Sequence, residues 1–97
     1  MPEYETPGVI QAEERFQITG PLVFETVAVL AGSLPDAADS LQIDLGKVTD
    51  ADSAGLALLL RWRAIAERRN HGIAFSNVPD KLRALAMLSD LEDLIFS

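Results

Sequence analysis

Two short stretches of this chain alternate polar with apolar residues, a third reads as a strand, and segments with apolar residues at helical spacing lie between them. Arg15-Phe16-Gln17-Ile18-Thr19 and Leu41-Gln42-Ile43-Asp44-Leu45 alternate strictly, and Ile73-Ala74-Phe75-Ser76-Asn77-Val78 reads as a third strand. A period of two belongs to a strand with one face buried. Gly20-Pro21 stops the first strand. Leu22, Val23, Val27, Leu30 and Leu34 then follow helical spacing until Pro35. After the second strand and a loop through Gly46 and Lys47, a long run of helix formers extends from Leu56 to Arg69. Its end falls near Asn70-His71-Gly72, with Arg68 and Arg69 complementing the helix dipole. Pro79 suits the first turn of a further helix carrying Leu82, Leu85 and Leu88. Val9 to Gln11 reads as a short edge strand, and Leu91 to Phe96 as a last turn or short helix. Strands alternating with helices predict an α/β layer fold rather than a sandwich or a bundle.

At 97 residues the chain is long enough for one domain with a real core. No repeat or linker divides it, so residues 1–97 read as a single domain, with residues 1–7 as a flexible lead. A net charge of −7 argues against nucleic acid, which needs a basic face to displace counterions. The absence of cysteine excludes disulfides, zinc–thiolate sites and a thiol nucleophile. The acidic start, Met1-Pro2-Glu3-Tyr4-Glu5, has no basic region or apolar run of an export signal. The apolar run Leu56–Leu60 is far short of the ~20 residues that span a bilayer. The expectation is a cytoplasmic domain, with any membrane association made through a partner.

Catalytic chemistry finds little support. His71, the one histidine, lies in a turn beside Gly72 with no acid–base partner nearby in sequence. Asp50 and Asp52 lack a third ligand at calcium-loop spacing, so no metal site is expected. No glycine-rich phosphate loop or dinucleotide fingerprint is present, and no cofactor is implied. Ser53 has neither a Gly-x-Ser-x-Gly context nor a matched base.

The junction Asp50-Ala51-Asp52-Ser53-Ala54-Gly55 remains. Ser53 stands at the expected N-cap of the long helix, Asp52 complements the dipole, and Ala54 and Gly55 let another backbone approach. Taken alone, these residues make either a good helix start or a small flat surface for a partner. Phosphate on Ser53 would put nearly two negative charges beside Asp50 and Asp52 and weaken a close contact. The helix is more apolar than one sheet face requires. Leu58, Leu59, Trp62, Ile65 and Ala66 form one stripe, while Leu56, Leu60 and Ala64 form a second, bordered by Arg63 and Glu67. Neighbouring helices or a docked partner would cover the excess, with Trp62 and the arginines as candidate anchors. Charge is uneven as well. Residues 1–52 hold ten carboxylates and two cations, whereas residues 53–97 hold five and six. Arg61, Arg63, Arg68 and Arg69 fall close together, as either a solvated face or a contact for an acidic partner.

Asp52-Ser53-Ala54-Gly55-Leu56, between a strand and an apolar helix, resembles the Asp-Ser-Ser-Gly-Leu signature of the STAS domain family. The resemblance extends to Ile18-Thr19-Gly20 with Leu22, to Asn77-Val78-Pro79, and to Leu88-Ser89-Asp90-Leu91, which is similar to a Ser-Gly-Leu turn of the family. Gly55 to Leu60 and Val78-Pro79-Asp80-Lys81 resemble the branch that serves as STAS subunit of the Mla phospholipid-transport ABC complex. The resemblance implies a STAS fold, a small mixed sheet of four to five strands flanked by about four helices.

It also implies a non-enzymatic accessory subunit that binds the ATPase of an ABC transporter for intermembrane phospholipid transport and outer-membrane lipid asymmetry. Such a subunit sits in the cytoplasm, peripheral to the inner membrane through its complex. The implied partner-binding residues are Asp52, Ser53, Ala54, Gly55, Leu56, Ala57, Leu60 and Arg61. The alternative is an anti-sigma-factor antagonist switched by phosphorylation of Ser53. Two departures weigh against it: Ala54 replaces the second serine, and Val23 stands where such antagonists often carry an acid. A small-ligand sensor is a third possibility that nothing in the composition supports.

Overall fold

A computed structural model describes residues 6–12, 15–30, 32, 34 and 40–93. The elements run β1 (Gly8–Ala12), β2 (Arg15–Leu22), α1 (Val27–Leu30), β3 (Ser40–Ala51), α2 (Ser53–Arg68), β4 (Gly72–Ser76) and α3 (Asp80–Leu88). The strands form one sheet in the order β1-β2-β3-β4. β1 is antiparallel to β2, while β2, β3 and β4 are parallel. This is the expected mixed α/β architecture of the STAS type. Three helices are found among the described residues, against about four expected. The tail from Leu91 to Phe96 is helical at Glu92 and Asp93 and lies outside the described residues from 94 onward.

Alternation decides which sheet face is covered. Phe16 and Ile18 of β2 and Leu41, Ile43 and Leu45 of β3 are buried, and Ile73 and Phe75 pair beside Leu41 and Ile43. Gln17, Thr19, Gln42 and Asp44 point to the other face, where they are half-buried or exposed. On the covered face lie Leu58, Leu59, Trp62 and Ala66 of α2 and Leu82 and Ala86 of α3, all in one core. Each fully buried leucine there contributes about 1.5–3 kcal/mol. The first stripe of α2 is therefore the sheet-facing one.

Several boundaries differ from the sequence reading. β3 does not turn at Gly46 and Lys47 but continues to Ala51. Its ladder with β2 shifts register twice, between Gln17 and Thr19 and between Gly20 and Pro21. Each bulge absorbs an extra residue and lets the pairing resume. β2 likewise runs through Gly20-Pro21 to Leu22. β1 begins at Gly8 opposite Thr19, so Pro21 stands beyond it where β2 is an edge, which tolerates a missing N–H. Gly20 has φ +87°, and an added Cβ would lie 3.0 Å from the Cα of buried Pro7.

The helix expected from Leu22 to Leu34 is a single turn, Val27–Leu30. Leu22 ends the strand. Thr26 folds a turn in between: its hydroxyl accepts the Val23 N–H (3.1 Å) and donates to the Pro21 carbonyl (2.8 Å). Residues 31, 33 and 35–39, including the expected stop at Pro35, lie outside the described residues. At the far end of α2, Asn70 adopts φ 57°, and the His71 N–H bonds back to the Ala66 carbonyl at 2.9 Å. This is a Schellman closure in which Asn70, not Gly72, takes the left-handed position. α3 closes the same way, with Asp90 at φ 59° and the Leu91 N–H on the Ala86 carbonyl at 2.8 Å.

Candidate functional site

The junction between β3 and α2 is organised by Asp52. Its Oδ1 accepts the N–H groups of Ala54 (2.9 Å) and Gly55 (3.3 Å), two donors that a helix start leaves unpaired. Its Oδ2 accepts the N–H of Phe24 (3.0 Å), 28 residues earlier in the chain. Its own N–H donates to the Leu22 carbonyl at 3.2 Å. One carboxylate thus caps the helix and fastens the β2–α1 turn to it. The expectation that Ser53 would be the N-cap is corrected: Asp52 has the extended backbone of a cap (φ −139°, ψ −168°) and Ser53 is the first helical residue. The Asp carboxylate displaces the serine because it offers two acceptor oxygens, one to each segment. The Ser53 side chain is left exposed.

Gly55 is buried, and a Cβ there would overlap the Leu22 carbonyl oxygen and stand 3.0 Å from the Leu22 Cβ. The close backbone approach foreseen for this glycine is therefore made by the protein's own strand β2. Leu56 is 4% exposed and belongs to the core. Of the eight residues expected to meet a partner, Ser53, Ala57 and Arg61 are exposed. Asp52, Ala54 and Leu60 are half-buried, and Gly55 and Leu56 are internal. Of the second stripe, Leu56 is inside, Leu60 is half-buried and Ala64 is exposed.

Beside this helix start lies a groove of about 430 Å³. Phe24, Val27 and Ala28 form one wall, and Ala54, Ala57 and Leu58 form the other, with Arg61 the last residue on the α2 side. Phe24 is 77% exposed although Asp52 holds its backbone. Phe24, Val27 and Ala28 were not foreseen as site residues. Phe24 did carry a signal: it is the large apolar residue outside the inward stripe Leu22, Val23, Val27, Leu30 and Leu34.

Arg61 and Arg63 do not share one patch. Arg63, two residues and about 200° from Arg61 on a helix of 100° per residue, faces away from it. Its Nε lies 3.5 Å from the Glu67 carboxylate. No ion pair to Arg61 is formed among the described residues. Near the start of α3, Lys81 Nζ meets Asp50 Oδ1 at 3.0 Å, and this contact, with the Ala51 N–H, lowers the pKa of Asp50. The described residues contain no group of three or more His, Asp or Glu placed to hold a metal, and no described helix is long and apolar enough to cross a membrane.

Compared with known families, the sequence matches the family described as Mlab, STAS domain, over residues 10–96. No curated protein matches it.

Proposed function

The chain belongs to the Mlab-type STAS domain family, and from that membership we propose that it is an accessory, non-catalytic subunit binding the cytoplasmic ATPase of an ABC transporter for intermembrane phospholipid transport. Its place would be the cytoplasmic side of the inner membrane, held there through the complex, and its output would be lipid asymmetry of the outer membrane. The observation that carries this reading is the start of α2. There Ser53, Ala57 and Arg61 are exposed, with half-buried Ala54 and Leu60 between them, on a helix whose first turn is fixed by Asp52. A rigid surface of small residues admits a partner backbone closely and loses little freedom on binding. Such a subunit influences the transporter only by binding one state of the ATPase better than another.

Co-purification tests the reading. Ser53→Arg or Ala57→Arg projects a long charged side chain from an exposed position, so the domain stays folded while the co-expressed ATPase is lost. If both variants retain the ATPase at the wild-type level, the surface is wrong. Leu56→Asp is unsuitable for this purpose, because Leu56 is a core residue.

A phosphorylation switch on Ser53 is the second reading. It is favoured by one observation: the side chain is exposed and Asp52 has taken over capping. It predicts phosphorylation of Ser53 by a cognate kinase with ATP, seen by mass spectrometry, and loss of binding in Ser53→Asp. No phosphate transfer to Ser53 by that kinase would dismiss it.

A further inference from the structure

We propose that the groove between Phe24 and α2 is a socket for a polypeptide segment that presents a large apolar side chain and, within one helical turn of it, a carboxylate. This rests on the reading that an ATPase subunit is the partner, and it specifies the chemistry of the segment that docks. The groove walls are apolar on both sides, and their one charged lining residue is Arg61. No described carboxylate pairs with Arg61, in a chain of net charge −7. A cation with no ion pair among the described residues, at the end of an apolar groove on an otherwise acidic protein, is complementary to an acidic group that arrives with an apolar one.

Phe24 is the anchor of the opposite wall. The residue is 77% exposed, and its backbone N–H is held by Asp52 Oδ2 at 3.0 Å. Asp52 is thus a positioning residue: it does not line the groove, yet it fixes the distance between the Phe24 turn and the first turn of α2. Holding the Phe24 backbone before binding lowers the backbone entropy lost on docking. A lipid surface fits less well. Anionic headgroups are recognised by clusters of roughly four to eight basic residues, whereas this groove offers one arginine and has exposed Glu25 beside Phe24.

The test uses the full-length chain co-expressed with the ABC ATPase subunit of the same organism. A photo-crosslinking benzoyl-phenylalanine replaces Phe24, and mass spectrometry maps the adduct after irradiation. The expected adduct lies on the ATPase, within four residues of an Asp or Glu. Phe24→Ala and Arg61→Glu are each expected to weaken retention of the ATPase by at least about tenfold, with unchanged thermal melting of the isolated domain. Arg68→Glu, two turns further along α2 and outside the groove, is expected to change it less than about twofold. Exchanging the mapped carboxylate for lysine should restore binding to Arg61→Glu. Asp52→Asn keeps an oxygen to cap the helix but presents an NH2 group to the Phe24 N–H, so cross-linking from position 24 should fall while helicity is kept.

An ATPase that is retained without an adduct at position 24, or with Arg61→Glu no weaker than Arg68→Glu, overturns the socket and leaves the proposed function standing. An ATPase that is not retained by the wild-type chain overturns both. An adduct only to a second copy of this chain, or Phe24-dependent binding to phosphatidylglycerol vesicles in place of the ATPase, also overturns the socket.

Discussion

The starts of α2 and α3 are both held by aspartates in or just after β3, and they are held very differently. Asp52 accepts three backbone N–H groups through two oxygens, and Ala51 just before it and Leu56 one helical turn after it are in the core. α3 begins after Pro79, which offers no side-chain cap. Its ties to β3 are exposed side-chain contacts, Lys81 to Asp50 at 3.0 Å and Asn77 Nδ2 to Asp44 Oδ1 at 3.0 Å. Backbone donors held by a half-buried carboxylate fix a geometry, whereas exposed side-chain pairs are screened by water and contribute little. The comparison teaches where a binding surface can be built. Ser53 and Phe24 stand on the rigid start, and the loosely tied start of α3 has no equivalent.

Substitutions at the two starts should separate by size. The largest effect is expected for Leu56→Asp, which puts a charge among core residues with no partner. A loss of about 4 kcal/mol or more leaves no cooperative urea transition, as read by circular dichroism. A folded Leu56→Asp domain would mean that α2 is not seated on the sheet through this residue. Next comes Asp52→Ala, which removes the cap and the clamp together at about 2–3 kcal/mol. Asp52→Asn, losing the clamp and retaining a capping oxygen, should cost about half as much in the same urea titration. Equal losses for the two variants would show that the bond to Phe24 adds nothing to the cap.

The same contrast explains what the sequence made legible. The strands were readable where alternation is strict, as at Phe16-Gln17-Ile18 and Leu41-Gln42-Ile43. The sheet-facing stripe of α2 was readable because Leu58, Leu59, Trp62 and Ala66 repeat at helical spacing. The extension of β3 from Gly46 to Ala51 was not, since a bulge breaks the period that signals a strand. The short α1 was also hidden, because Leu22 and Val23 have helical spacing to Val27 but belong to a strand end and a turn.

Within the site, Asp52, Ser53 and Gly55 stood out as a helix start. The division of labour among them did not, because the second acceptor oxygen of Asp52 serves Phe24, a partner 28 residues away. Sequence neighbours could not reveal that bond. Leu56 looked available for binding for a related reason: its burial depends on how the rest of the core closes over α2, which no local pattern encodes.

Smaller effects belong to the α3 side. Lys81→Met breaks the pair with exposed Asp50 and should leave the urea midpoint unchanged at 0.1–0.2 M salt. A clear destabilisation would show that α3 is docked more tightly through this pair than exposed ion pairs allow.

The remaining effect is a pH dependence at Asp44. The Asn77 amide and then the Gly46 N–H (2.8 Å to Oδ1) hold the carboxyl pKa below its ordinary 3.8. The folded state therefore binds this proton less readily than the unfolded chain. Its contribution is complete above pH 3.8 and fades as pH falls through the lower folded value. Asn77→Gly removes the amide while accommodating the left-handed backbone at that position, φ 52°. Urea midpoints measured from pH 6 down to pH 2.5 should then converge for the two proteins at the acid end, with the wild type ahead only above it. A gap of constant size across that range would mean that Asn77 acts through backbone conformation alone, and that the ties of α3 to β3 are weaker still than the contrast with Asp52 implies.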